Sequence, residues 1–253
     1  NSSITEIHTY VYRNCVSDST NQVSSSTIGH ESALFNYSSN NAYFTVEGGS
    51  YRNGGGGILW SDNNDWKFSV TGNCYFKNFT SIFRASTASG AANSQGDILI
   101  DGGLYEDCGD AVFTTVDATS YRNVTIRNMR VFNGRLLING VNQLQVENNH
   151  FVERRAAVGT SPFATDLGAF AALTTRSMCW LQKISNANIV NNVFVVDSIY
   201  NINVWYGIHL PTTSMTTINS GRDYFQQNIN IEGNVLRNFR YGIGTQFGGF
   251  NTA

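Results

Sequence analysis

Phe44-Thr45-Val46-Glu47-Gly48-Gly49-Ser50-Tyr51 returns as Phe68-Ser69-Val70-Thr71-Gly72-Asn73-Cys74-Tyr75, and this return decides the fold. Apolar and arbitrary residues alternate, two residues from Gly or Asn follow, and an aromatic or aliphatic residue stands two further on. The unit recurs at Ile98–Tyr105 around Gly102-Gly103 and at Val124–Val131 around Asn128-Met129. It recurs again at Leu144–Phe151 around Asn148-Asn149, at Ala187–Phe194 around Asn191-Asn192 and at Ile229–Leu236 around Gly233-Asn234. A degenerate copy at the start places Ile7 and Tyr12 in the same columns.

Alternation sends two apolar side chains to one face of a short strand. Gly or Asn then supplies the positive φ of a sharp bend. The chain leaves on a second strand whose aromatic residue returns to the same core. Asparagines at stacked bends lie above one another and can exchange amide hydrogen bonds. A third apolar segment separates successive units. Examples are Gly57-Ile58-Leu59-Trp60, Ser81-Ile82-Phe83-Arg84, Ala111-Val112-Phe113-Thr114, Arg135-Leu136-Leu137-Ile138, Gly207-Ile208-His209-Leu210 and Tyr241-Gly242-Ile243-Gly244.

The columns at Val46, Val70, Ile100, Ile126 and Val146 are 24, 30, 26 and 20 residues apart. The next two steps, to Ile189 and Ile231, are 43 and 42, which reads as one repeat plus an inserted loop each. A sandwich of two sheets would need hairpins at short spacing. A motif that returns once per repeat pairs like with like, which is parallel stacking. The expectation is an all-β chain: a right-handed single-stranded parallel β-helix, or solenoid, of about eight coils with three short strands each. It forms a single domain over residues 1–253, with 1–30 as first coil and connection, and with inserted loops at 154–176 and 212–228.

Composition agrees. The chain has 31 asparagines and 24 glycines, both poor in helix interiors and common in turns. Charged residues make up 13% and the formal net charge is −2, so no basic field faces a nucleic-acid backbone. No apolar run approaches the roughly 18 residues of a membrane span. No signal peptide is visible at the start, which opens on Asn1. The last coil ends near Phe250 without an obvious cap, so the native protein is expected to continue there or to have that end covered by a partner chain.

The turn units, such as Val146-Glu147-Asn148-Asn149-His150-Phe151 and Ile231-Glu232-Gly233-Asn234-Val235-Leu236, resemble those of the pectin-lyase-like superfamily of parallel β-helices. Within it, the chain is similar to phage tailspike and capsule-depolymerase domains over roughly residues 5 to 249. The resemblance implies a homotrimer that cleaves or binds bacterial surface polysaccharide, O-antigen or capsule, and a place on the virion tail. A secreted or cell-surface bacterial protein is the alternative. The paired Asp-Asp and Gly-His-Gly of polygalacturonases are absent, so no catalytic assignment comes from the resemblance.

Chemistry on such a shaft lies on outward side chains and loops. One column past the second strand contains Asn53, Lys77, Asp107, Asn133, Glu153, Val196 and Asn238. Asp107 and Glu153 would stand two coils apart, roughly 9–10 Å between backbones. That spacing suits the acid and base of an inverting glycosidase. Glu106 and Asp110 flank Asp107, and Arg154 and Arg155 follow Glu153 and would hold one carboxylate ionised. The same charges also suit a solvated salt-bridge ladder. A second column, Glu47, Thr71, Asp101, Arg127, Glu147, Val190 and Glu232, reads as structural because it borders the tight bend.

The insertion from Arg154 to Arg176 could wall a glycan cleft or make a lateral contact. The insertion Ser198 to Tyr206 ends in Trp205-Tyr206 and leads into a strand whose His209 alternation directs outward. Trp205, Tyr206 and His209 are thus candidate glycan contacts, with a subunit interface as the other reading. Asp62 and Asp65 are a poor calcium pair, Gly54 to Gly57 is a corner, and no metal ligand spacing occurs among Cys and His. No cofactor is expected. Cys15 and Cys108 fall in one column but three coils apart, beyond disulfide reach, and Cys74 faces elsewhere, so free thiols are expected. Three functions stand side by side: glycan hydrolysis by the carboxylate pair, glycan binding without turnover, and a polysaccharide lyase.

Overall fold

The computed structural model describes residues 8–18, 35–37, 42–53, 59–61, 66–79, 81–86, 96–108, 111–116, 121–154, 177–197, 206–211 and 228–246. Among them the chain is all β, with no helix, and every strand pairing is parallel. The strands are β1 (His8–Arg13), β2 (Val16–Asp18), β3 (Phe35–Tyr37), β4 (Ala42–Arg52), β5 (Leu59–Ser61), β6 (Trp66–Lys77) and β7 (Ser81–Ser86). Next come β8 (Gly96–Asp101), β9 (Leu104–Glu106), β10 (Ala111–Val116), β11 (Tyr121–Arg127), β12 (Arg130–Phe132), β13 (Leu136–Glu147) and β14 (His150–Glu153). The last are β15 (Ser177–Val190), β16 (Val193–Val196), β17 (Tyr206–Pro211), β18 (Ile229–Glu232), β19 (Val235–Arg237) and β20 (Tyr241–Gln246).

The pairings sort into three ladders in which each repeat lies against the next. In the first ladder Tyr12 faces Val46, Val46 faces Val70, Val70 faces Ile100, and the column continues through Ile126, Val146 and Ile189 to Ile231. In the second, Tyr51, Phe76, Tyr105, Val131, Phe151, Phe194 and Leu236 follow one another. In the third, Leu136, Cys179, Ile208 and Ile243 do so. Strands β4 and β6 run from the first ladder into the second, and β13 runs from the third into the first. The parallel pairing expected at Val70, Ile100 and Ile126 is present, and the arrangement is compatible with a β-solenoid.

Alternation explains the core. Val46, Val70, Ile100, Ile126, Val146 and Ile189 are all fully buried. Stacking of like on like also aligns rings: Tyr51, Phe76 and Tyr105 form a file with centroids 5.0 and 5.1 Å apart, nearly parallel. Such offset contacts add to the area term.

Two corners bend the chain between ladders. At the first, Gly48, Gly72, Gly102, Asn128, Asn148, Asn191 and Gly233 all have positive φ. The residue after it becomes an asparagine ladder. The Met129 N–H donates to Asn149 Oδ1 at 3.0 Å, the Asn149 N–H to Asn192 Oδ1 at 3.0 Å, and the Asn192 N–H to Asn234 Oδ1 at 2.9 Å. Asn149 and Asn192 are buried, and their Nδ2 groups donate to the Ile126 and Val146 carbonyls. Each amide thus satisfies main-chain groups that would otherwise be orphaned in the interior.

The second corner was not anticipated. Asn53, Asn78, Asp107, Asn133 and Asn238 also have positive φ, between 52° and 63°. This corrects the expected column, which held Lys77. Arg52, Lys77 and Glu106 are the true partners, and Asn78 stands beside Asn53 and Asp107. The cause is an extra residue at the first corner of β6, where the register shifts between Glu47 and Gly49 and Gly49 faces Cys74.

The four cysteines are free, Cys15 exposed and Cys74, Cys108 and Cys179 buried. Cys15, which precedes Val16 opposite Ser50, aligns through Gly49 with Cys74 rather than with Cys108. Burial pushes the Cys74 thiol up to about 11 and Cys179 up to about 12, so both stay protonated and unreactive.

Candidate functional site

The carboxylates come first. Asp107 occupies the second corner, where an asparagine-like side chain tolerates positive φ. Its Oδ1 accepts from Asn133 Nδ2 at 2.6 Å, and its own N–H donates to the Phe132 carbonyl. Asp107 therefore does for Asn133 what Asn53, two repeats earlier, does for Asn78 at 2.9 Å. Glu106 accepts from the Tyr75 hydroxyl at 2.7 Å and lies 3.5 Å from Lys77 Nζ. Burial, and then the bond to Glu106, push the Tyr75 hydroxyl up to about 12.

Glu153 departs from its expected place on the surface. It has no exposed area. Strand β14 does not turn at this position but runs one residue further than β12, so Phe151 points in, Val152 out and Glu153 in again. Its partner in register, Val196, is likewise fully buried. Asp107 and Glu153 do share a column two repeats apart, with Asn133 between them. However, a carboxylate with no solvent access cannot deprotonate an incoming water. Asp110 and Arg155 lie outside the described residues, as do Asp62 and Asp65. Arg154 is exposed. Its guanidinium covers the Phe132 ring at 4.4 Å and stands 3.6 Å from Asp197 Oδ2.

The aromatic candidates converge elsewhere, on the outer face of the third ladder. Ile208 continues the core column, so His209 points away from the core, as alternation requires. Yet His209 is only 5% exposed, so its outward direction does not put it in solvent. Trp180, its partner one repeat earlier, is also 5% exposed, and Leu137 before that is 1% exposed.

The Tyr206 ring stacks on the His209 imidazole at 4.2 Å and 12°, and on Tyr241 at 5.2 Å. Gly244, which faces His209 across the ladder, makes room for that ring: a Cβ there would overlap the Tyr206 ring. Arg240 lies 5.4 Å over the exposed Tyr241 ring. Trp205 lies outside the described residues.

The two imidazole nitrogens differ in their surroundings. Ser177 Oγ, fully buried, is 2.9 Å from His209 Nδ1. Nε2 is buried with no hydrogen-bond partner, and it is the one such side-chain atom among the described residues. Burial holds the His209 pKa below its usual value, so the ring is neutral near pH 7. An unpaired N–H costs more than an unpaired lone pair. The favoured tautomer therefore donates Nδ1–H to Ser177 and leaves Nε2 an acceptor.

Sequence reading missed Ser177 and Trp180. Their only signal was register with Tyr206 and His209, which becomes readable once the insertion before Ser177 is counted out. Among the described residues no group of three or more His, Cys, Asp or Glu could hold a metal ion. No family model, curated protein or solved structure matches the chain.

Proposed function

We propose that the chain is a right-handed parallel β-helix of about eight coils, three short strands to each, and that it serves as a glycan-binding shaft of the tailspike kind. Right-handedness follows from the strong preference of parallel crossover connections. The three ladders and the two recurrent corners support the coil count. The ligand is a bacterial surface polysaccharide, O-antigen or capsule. A place on a virion tail belongs to the same reading.

The observation that carries it is the file of His209, Tyr206 and Tyr241 on an outer face, which ends in the exposed Tyr241 ring. An exposed flat ring suits the apolar face of a sugar. Binding is better supported than hydrolysis, because Asp107 is committed to the second corner and Glu153 faces the interior.

The test is a titration of the chain with purified O-antigen and capsule polysaccharides, with reducing ends measured in parallel. Binding without new reducing ends is expected, and Tyr206→Ala should weaken it about tenfold. No affinity for any surface polysaccharide would sink the reading. Reducing ends that vanish in Asp107→Asn and Glu153→Gln would restore the hydrolase.

A further inference from the structure

The described repeats terminate in two surfaces that match each other. At one stand β1, β2 and β3, and at the other β18, β19 and β20. Among the described residues each of these strands has a neighbour on one side only. Both surfaces leave apolar side chains in the open: Tyr10 at 39% and Val16 at 79% exposed on the first, Tyr241 at 43% and Ile243 at 51% on the second. Open strand edges beside exposed core residues are templates for another strand.

Charge says which strand. The column bordering the first corner begins at Arg13, passes Glu47, Asp101, Arg127 and Glu147, and ends at Glu232. A column on the second ladder begins at Asp18, beside Arg52, and ends at Arg237. Each column thus opens with one sign and closes with the other. If the last repeat of one copy stacks on the first repeat of another, Glu232 meets Arg13 and Arg237 meets Asp18. Arg13 would then lie between two glutamates, Glu47 and the incoming Glu232. The same column already contains that arrangement, since Arg127 sits 2.8 Å from Asp101 and 3.8 Å from Glu147. The main chain agrees. Within the protein the Asn14 N–H donates to the Glu47 carbonyl and the Asn191 N–H to the Glu232 carbonyl. Across the junction the Gly233 N–H takes the Arg13 carbonyl by the same rule.

We propose that these two surfaces form a heterologous interface through which a second copy of this chain adds head to tail, carrying the parallel ladders across the junction. The proposal is independent of the glycan reading. Head-to-tail contact without rotational closure gives an open line of copies, not a closed trimer.

The test is light scattering of the full chain across micromolar concentrations at low and high salt. The average mass should climb without a plateau at low salt and fall at high salt. Glu232 and Arg237 are exposed and enter no ion pair among the described residues, so reversing them spares the fold. Glu232→Arg, or Arg237→Asp, should raise the concentration needed for half association about tenfold. Asp18→Arg added to Arg237→Asp should bring it back. A constant mass at every concentration, whether of one copy or of a trimer, overturns the proposal. Association indifferent to these reversals overturns it as well.

Discussion

The outer faces of the first and third ladders are built from the same kind of strand and have opposite fates. On the first ladder the outward residues from Asn123 onward include a run of exposed amides, Asn123, Gln143, Gln145, Asn186, Asn188 and Asn230. On the third, Leu137, Trp180 and His209 also point away from the core columns and are nearly as buried as the core itself. Direction relative to the core therefore does not decide exposure in this protein. The third ladder has an apolar side on both faces, as fully covered parallel strands do. A ligand site with a defined dielectric can exist there and not on the amide face.

Trp180→Ala breaks this contrast most severely. It should cost about 3–5 kcal/mol in denaturant unfolding, the loss expected of a core aromatic. A cost near zero would mean that the outer face of the third ladder is surface after all. Asn192→Ala asks how the corner between these faces compares. It strands the Asn149 N–H and the Val146 carbonyl in the interior and should cost about 2–3 kcal/mol, read in the same experiment.

His209 sharpens the comparison through pH. Its folded pKa lies below the unfolded value of about 6.5, so the unfolded chain takes up the proton first as pH falls. Stability is full above that value and declines below it, until the folded imidazole also protonates. Tyr206, Ser177 and Trp180 pack around the ring and none carries a charge at these pH values to offset its own. In His209→Leu this part of the acid decline should disappear. Thermal melts between neutral and mildly acid pH that superimpose for the two proteins would count against the buried neutral ring. The smallest effect belongs to the amide face: Gln145→Ala should stay within about 0.5 kcal/mol of the parent, by the same melts.

Much of the fold was legible because its signal repeats. The run from Phe44 to Tyr51 and its later copies put Val46, Val70, Ile100 and Ile126 in one column, and the pairings place them there. The Gly and Asn bends have the positive φ that their composition implied. Two errors in register occurred: the degenerate first copy set Tyr12 level with Tyr51, whereas it pairs with Val46, and Lys77 was displaced by a single extra residue at one corner, which a count of columns cannot see. Glu153 was misjudged for a different reason, and the cover over His209 was not foreseen. Alternation gives the direction of a side chain only while the strand lasts. Whether β14 turns or runs one residue further is decided by packing, as is whether an outer face is covered. Asp107 looked like chemistry because its charge stood out. Its backbone conformation, which the neighbouring asparagines in its column share, marks it as part of the frame.

Among the described residues each strand pairs only with the repeats immediately before and after it. Such a chain has no central keystone whose loss dissolves everything at once. Its opening resembles a zipper: the outermost repeats, bonded on one side, come apart first, and the middle around Ile126 and Val146 lets go last. Proteases and exchanging solvent would meet the protein in that order. A lesion at one rung would loosen its two neighbours before any distant one.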